Sequence, residues 1–197
     1  MPKILIHACC AHCTAYTVEH FRKEGYEVTA LWYNPNIHPY MEHQNRLAAM
    51  KTLSEKMDFP LIIVDGYDFI EHIRAMYGHE DERCGTCFRI RLQKTAEAAI
   101  EKGIYAFTTT LLISPHQQHE LAKKVGEEVA LNTGAAFIYA DLRKRYSDSR
   151  HLTKPMELYR QQYCGCIYSE FERYTDTKIK VIKPDGIPRP DRSGIEL

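Results

Sequence analysis

Short apolar runs alternate with longer amphipathic segments along most of the chain. The runs predict buried β-strands, because each is short and is bounded by polar or turn-forming residues. The segments between them repeat their apolar positions every three or four residues, which predicts helices. The predicted strands cover residues 3–8, 27–33, 61–64, 105–110 and 136–140. The predicted helices cover residues 14–24, 41–57, 67–77, 84–102, 116–131 and 154–174.

This alternation of strands and helices predicts an α/β fold. We expect a single domain over residues 1–175, with a mostly parallel sheet of roughly five strands flanked by helices and a helical C-terminal region. The layout would be Rossmann-like or PP-loop-like. Residues 176–197 are expected to form a C-terminal extension, loosely attached, because the tail from Pro184 onward is rich in Pro, Gly, Asp and Arg. Open parallel sheets bind ligands at the carboxyl ends of their strands, so the site is expected there.

Composition and charge narrow the functional classes. Hydrophobic residues make up 44% of the 197-residue chain, which is enough for a core. No apolar stretch approaches the roughly 20 residues that span a bilayer, and the first strand is too short for a signal peptide, so we expect a cytoplasmic protein without membrane contact. The formal net charge is zero, so any nucleic-acid binding must use a local basic patch. The densest basic run is Arg143-Lys144-Arg145, with Arg150 nearby.

The seven cysteines fall into three tight groups. These are Cys9-Cys10 with Cys13, then Cys84-x-x-Cys87, then Cys164-Gly165-Cys166. In a reducing cytoplasm, grouped cysteines usually bind metal or act in redox chemistry. The chemistry of this protein is therefore expected at these thiols.

The first two groups together offer four thiolates from two loops, namely Cys9, Cys10, Cys84 and Cys87. Four thiolates suit either zinc or an iron–sulfur cluster. Adjacent cysteines do not easily aim both sulfurs at one ion, which favours a cluster, but spacing leaves both readings open. Cys13 is a fifth thiol at the start of a predicted helix, and it is either inert in the core or functional. As a functional residue it would be a ligand of a second metal or a reactive catalytic thiol, since a helix N-terminus lowers the pKa of a thiol. His12 is a candidate co-ligand for that metal.

Cys164-Gly165-Cys166 has a different character, because a single intervening residue makes a small and strained disulfide ring. Strained disulfides are easily reduced, which favours a redox-active couple. The alternative is a pair of free thiols on a helix.

Five blocks of the chain, in this order, resemble the cobalamin-independent epoxyqueuosine reductase family. The resemblance covers residues 3–170, with His12 where the family commonly has proline. The blocks are His7-Ala8-Cys9-Cys10-Ala11-His12-Cys13, Tyr33-Asn34-Pro35-Asn36-Ile37-His38-Pro39, Arg83-Cys84-Gly85-Thr86-Cys87, Thr109-Thr110-Leu111-Leu112-Ile113-Ser114-Pro115 and Tyr159-Arg160-Gln161-Gln162-Tyr163-Cys164-Gly165-Cys166.

The resemblance implies an enzyme that removes the epoxide oxygen of epoxyqueuosine at the tRNA wobble position. It implies tRNA as partner and an electron donor that the sequence does not identify. It also implies a four-iron four-sulfur cluster and a redox-active disulfide between Cys164 and Cys166. The cluster ligands it implies are Cys9, Cys10, Cys84 and Cys87.

Some members of that family are thought to hold an additional iron beside the cluster, for which Cys13 and His12 are the candidate ligands here. Proton donors would come from His12, His38 or a tyrosine. Two other classes stay open on the residues alone. One is a PP-loop-like tRNA thiolase or sulfurtransferase, although the cysteines stand where its ATP-binding loop would be. The other is a non-enzymatic zinc-stabilised RNA-binding module.

Overall fold

The computed structural model describes residues 1–176 and contains one sheet of five parallel strands in the order β3-β2-β1-β4-β5. The α/β fold with a parallel sheet is therefore confirmed. The predicted extension lies outside the described residues except for Asp176, and the domain boundary stays a prediction. The strands are β1 (Lys3–His7), β2 (Glu27–Trp32), β3 (Leu61–Ile63), β4 (Ala106–Thr109) and β5 (Ala136–Phe137).

The helices lie between these strands and after the last one. They are α1 (Ala11–Lys23), α2 (Tyr40–Met57), α3 (Phe69–Met76), α4 (Arg83–Glu101), α5 (His119–Thr133), α6 (Tyr146–Thr153) and α7 (Ile167–Thr175). The strand order reverses at β1, which pairs with β2 on one side and β4 on the other. This switch point is where open parallel sheets form their ligand crevice.

Strand β1 separates two apolar layers, because successive side chains of a strand point to opposite faces. Ile4 and Ile6 pack into a cluster with buried residues of α1 and α2. Leu5 packs into a second cluster with buried residues of α4 and α5. All three side chains are fully buried, so helices cover both faces of the central strand.

The predicted helix over residues 154–174 is wrong in its first half. Helix α6 ends at Thr153, a short 3-10 turn follows at Lys154–Met156, and regular helix resumes only at Ile167. Glu157 has a left-handed backbone with φ of +53°, which ends the turn. Further along, the backbone carbonyls of Tyr163 and Cys164 accept hydrogen bonds from a side chain of α2 instead of from a helical turn. The segment between the two helices is therefore an irregular loop.

Among the described residues, the helices are all too short or too polar to cross a membrane.

Candidate metal and redox site

Three cysteines converge where β1 meets α1. The Sγ atoms of Cys9, Cys10 and Cys13 all lie within 4.8 Å of one another, close enough to hold a metal ion. Cys10 is the N-cap of α1, and its sulfur accepts the Cys13 backbone N–H at 3.4 Å. The Thr110 hydroxyl, at the end of β4, donates to the Cys9 sulfur at 3.0 Å. The trio is therefore built by two adjacent strand ends and one helix N-terminus.

The three thiols of this trio ionise unequally. Hydrogen bonds from the Cys13 and Cys9 thiols hold the pKa of Cys10 well below its usual range. Because the Cys9 and Cys13 thiols donate these hydrogen bonds, their own pKa values rise. The pKa of Cys9 rises to about 11 and that of Cys13 well above its usual range. A helix N-terminus also favours a thiolate. Without a bound cation, the negative charge of the trio is therefore concentrated on Cys10.

Cys84 and Cys87 lie in the first two turns of α4, which begins at Arg83. Burial raises the pKa of both thiols, that of Cys87 to about 12, and charge on Cys164 raises both further. Neither belongs to a group of three close ligand atoms among residues 1–176. The predicted joint ligand set of these two with Cys9 and Cys10 stays a prediction.

Arg91 lies between the groups of thiols, one helical turn after Cys87. It is 1% exposed, and its Nε donates to the Cys87 carbonyl at 3.1 Å. Its Nη2 is buried and has no hydrogen-bond partner within residues 1–176. Burial opposes its charge, but nearby Cys87, Cys164 and Cys9 raise the pKa of Arg91. This fixed positive charge offsets the cost of thiolates in a buried place.

Arg46 of α2 holds the loop that carries Cys164. Its guanidinium donates to the carbonyl oxygens of Cys164 at 2.8 Å and Tyr163 at 3.0 Å. Its Nε donates to Glu42 at 2.7 Å, and both side chains are buried. Because a buried charge is stable only when it is paired and hydrogen-bonded, this ion pair fixes the loop in one position.

Gly165 is held equally closely from the other side. Its carbonyl accepts the His38 backbone N–H at 2.8 Å, and its φ of +150° is one that L side chains rarely adopt. An added Cβ would stand 3.0 Å from the Asn36 amide nitrogen and 3.2 Å from Ile37. The position therefore requires glycine.

The two thiols beside Gly165 have different environments. Cys164 is exposed, and its sulfur accepts a hydrogen bond from the Gln117 amide at 3.3 Å. Cys166 is partly buried as the N-cap of α7, where its sulfur accepts the Ser169 backbone N–H at 3.4 Å. Burial and the neighbouring Cys164 raise the pKa of Cys166. Cys164 is thus the accessible thiol of the pair.

An open cavity of about 580 Å³ joins these features. Cys9, Cys13 and Cys164 lie in its wall together with Arg91 and His12. Its volume is within the range of about 300–1,000 Å³ that small-molecule sites occupy. The remaining lining residues are Arg46, Leu111, Ser114, His116, Gln117, Tyr146, Arg150, Arg160, Gln161, Gln162, Tyr163, Ser169, Glu172, Arg173 and Asp176.

The predicted histidines have separate places. His12 lines the cavity, with Nδ1 2.6 Å from the Thr153 hydroxyl and a buried Nε2 that has no hydrogen-bond partner among the described residues. It is not part of the close trio of thiols. His38 lies behind the wall, where Nε2 bonds the Pro35 carbonyl at 3.1 Å. Of these two histidines, His12 is therefore the one that lines the cavity.

The basic run at residues 143–145 is largely engaged within the protein. Arg143 forms a bidentate contact with Asp141 at 2.9 and 2.6 Å. Arg145 contacts Asp148 at 2.8 Å and also donates to the Tyr16 hydroxyl. Arg150, by contrast, lines the cavity.

Several residues of the site were not predicted from the sequence. Arg91 could have been found, because it follows Cys87 by four residues on a predicted helix and so shares its face. Arg46, Gln117 and Arg173 gave no local signal, because their roles depend on contacts with distant parts of the chain.

The sequence model of the family described as Epoxyqueuosine reductase QueH matches residues 4–172, close to the span of the expected resemblance. A protein of that description from Dehalococcoides mccartyi is 54% identical over 173 residues, which are 88% of this chain and 95% of the relative. Another from Thermotoga maritima is 33% identical over 184 residues, covering 88% of this chain and 93% of the relative.

Among solved structures, a protein described as a predicted subunit of tRNA methyltransferase from Methanocaldococcus jannaschii matches with a TM-score of 0.55. The match covers 79% of this chain and 76% of that one at 10% identity, so it supports the fold alone.

Proposed function

Because the chain belongs to the epoxyqueuosine reductase QueH family, we propose that it reduces epoxyqueuosine at the wobble position of tRNA to queuosine. The reaction takes up two electrons and two protons, opens the epoxide to an alkene and releases water. The observation that carries the proposal is the cavity in which Cys9, Cys13 and Cys164 meet. It lies at the carboxyl edge of the sheet, where such folds bind ligands.

The donor set fits an iron–sulfur centre. Soft thiolate sulfur is the ligand that such centres prefer, and the buried guanidinium of Arg91 supplies a positive charge beside the thiols. We propose Cys9, Cys10, Cys84 and Cys87 as ligands of a four-iron four-sulfur cluster. When bound, such a cluster supplies electrons one at a time. Cys13, which lies within 4.8 Å of two of these thiols, remains for an additional iron, with His12 as the co-ligand proposed.

The Cys164–Cys166 pair is proposed as the two-electron store. Oxidation of the two thiols to a disulfide releases two electrons and two protons, which matches the demand of one epoxide reduction. Exposed Cys164 is the thiol that meets an external electron donor, and Arg46 holds its loop at the cavity. His12, with its buried and unpartnered Nε2, is the proposed proton carrier in the wall.

Neither alternative class gains support from the comparisons. The family model matches residues 4–172, nearly the whole chain. Neither a tRNA thiolase nor a zinc-stabilised RNA-binding module explains that match. A zinc module also leaves the accessible Cys164 without a role.

The test is anaerobic purification followed by iron and sulfide analysis and turnover of tRNA that carries epoxyqueuosine. Wild-type protein should contain about four iron and four sulfide per chain, or one iron more if the additional site is filled. Cys84→Ser should lose cluster absorbance and activity together, because one corner of the cluster loses its ligand. Cys166→Ser should keep the cluster and fail in multiple turnovers.

Full cluster occupancy in Cys84→Ser would remove that residue from the ligand set. A colourless protein that contains zinc and lacks turnover would overturn the proposed function as a whole. Normal repeated turnover by Cys166→Ser would refute the redox role of the pair and leave the cluster assignment intact.

A further inference from the structure

Arginines from three separate segments line the 580 Å³ cavity. Arg150 comes from α6, Arg160 from the irregular loop after it, and Arg173 from α7. All three side chains are exposed. We call these three residues the rim arginines.

The rim arginines form no ion pair with any acid within residues 1–176. Two carboxylates also line the cavity, but Glu172 is bonded to Arg83 at 2.7 Å. The other is Asp176, at the end of the described chain. Since the whole chain has no net charge, this concentration of cations is a local feature that an anionic ligand would satisfy.

The positive field extends from the rim into the cavity. Deeper in the same cavity, Arg91 is 1% exposed with an unpartnered Nη2. Exposed cations outside and a buried cation inside would attract an anionic chain toward the thiols.

The wall between rim and thiols offers contacts for a nucleobase. His116 and Tyr146 form an edge-to-face pair with ring centroids 5.9 Å apart, and both line the cavity. The amides of Gln161 and Gln162 lie in the same wall. Aromatic faces and amide groups recognise unstacked bases of single-stranded RNA loops. Phosphate groups at the rim would leave the base of one nucleotide free to enter.

We propose that the rim arginines bind backbone phosphates of the single-stranded anticodon loop on either side of the nucleotide that enters the cavity. This inference rests on the proposed function, because it takes the substrate to be tRNA. It assigns the RNA contact to Arg150, Arg160 and Arg173 and not to the run at residues 143–145, whose two arginines are already paired with Asp141 and Asp148.

The experiment measures binding of a fluorescein-labelled anticodon stem-loop RNA with guanosine at the wobble position, by anisotropy over a series of salt concentrations. The holoenzyme is compared with the triple variant Arg150→Gln, Arg160→Gln, Arg173→Gln. Loss of three phosphate contacts should reduce the slope of log affinity against log salt by about 2. At about 0.1 M salt, affinity should fall roughly 10- to 100-fold.

The matched control is the triple variant Arg143→Gln, Lys144→Gln, Arg145→Gln, which removes the same charge from the neighbouring surface and should bind like the wild type. Circular dichroism and cluster absorbance of both variants verify folding. An unchanged salt slope in the rim variant, or a loss confined to the control, would overturn the inference. So would a wild type that binds the stem-loop no better than a paired RNA duplex of equal length.

The guanosine stem-loop cannot turn over, so this outcome is independent of catalysis. If the rim variant fails to bind while wild-type enzyme binds but never reduces epoxyqueuosine, the rim assignment stands and the proposed function falls. If wild-type enzyme turns over and the rim variant binds normally, the proposed function stands and the rim assignment falls.

Discussion

Buried charge at the site is arranged so that each arginine has a defined use. Arg46 is 2% exposed and is neutralised by Glu42, so its remaining donors serve only to hold backbone carbonyls. Arg91 is equally buried but has no carboxylate partner among the described ion pairs, and the groups that sustain its charge are thiols. One buried arginine therefore positions a loop, and the other provides charge compensation for sulfur ligands.

His72 makes a residue-scale prediction about acid stability. Burial lowers its pKa from 6.5 to about 3, with the charges of His38 and Arg91 adding to the effect. Between pH 6.5 and about 3, His72 therefore binds a proton in the unfolded chain but not in the folded chain. Its contribution to stability is complete above pH 6.5 and is lost as pH falls from 6.5 toward 3, by up to about 1.4 kcal/mol per pH unit.

The measurement is urea unfolding of wild type and His72→Phe between pH 7 and pH 4.5. The variant keeps a ring beside His38 but does not titrate. It should therefore become more stable relative to the wild type as pH falls. Parallel pH profiles for the two proteins would contradict a buried neutral His72.

At the scale of elements, helix N-termini supply two of the thiol positions. Cys10 and Cys166 are the N-caps of α1 and α7, and each sulfur accepts the backbone N–H three residues on. The positive end of a helix stabilises a thiolate, so both positions suit metal binding or redox exchange. The α1 cap lies beside the end of β4, where the Thr110 hydroxyl bonds the Cys9 sulfur, because β1 and β4 are neighbours in a parallel sheet.

The contact of α5 with β5 makes an element-scale prediction. Gly126 of α5 lies under the ring of Phe137, where an added Cβ would stand only 2.4 Å from the ring. Gly126→Ala should therefore destabilise the protein by about 1–3 kcal/mol through overpacking, even though alanine favours helices. Chemical denaturation of the variant measures the effect.

The matching control is Gly126→Ala combined with Phe137→Leu, which removes the ring edge that causes the clash. The double variant should recover part of the lost stability relative to Phe137→Leu alone. If alanine is stabilising in the presence of Phe137, the close packing of α5 on β5 is wrong.

Across the whole molecule, the cysteines connect parts of the chain that are far apart in sequence. Of the cysteines that line the cavity, Cys9 and Cys13 follow β1 and Cys164 precedes α7. Charge on Cys164 also raises the pKa of Cys87 in α4. A centre bound by Cys9, Cys10, Cys84 and Cys87 would link the end of β1 to α4, which packs on the Leu5 side of the sheet. Such a ligand binds the native state only, so it adds to global stability.

Removal of the centre should accordingly lower the unfolding temperature. Anaerobic calorimetry of the loaded protein, compared with protein stripped by a chelator and oxidant, should show a decrease of about 2–8 °C, as expected for 1–2 kcal/mol in a domain of this size. In Cys84→Ser the same treatment should change the unfolding temperature little. A loaded wild type that unfolds at the stripped temperature would show that the centre does not join these elements.

The sequence by itself determined the elements and the residue types of the site. Strand and helix periodicity is local, and so five parallel strands and most helices followed from it. The cysteine groups and the family resemblance were also readable, because they are short blocks in a fixed order. Local pattern failed at residues 154–166, where the Cys164 carbonyl is bonded by Arg46 from a distant helix.

Only the tertiary structure decided which groups meet. It placed the Cys13 sulfur beside those of Cys9 and Cys10, because the turn from β1 into α1 brings all three sulfurs within 4.8 Å of one another. It also separated basic residues that look alike in sequence, since Arg143 has a carboxylate partner while Arg150 faces the cavity. Contacts between residues more than 100 positions apart, such as Cys9 with Thr110, depend on strand order, which no local pattern contains.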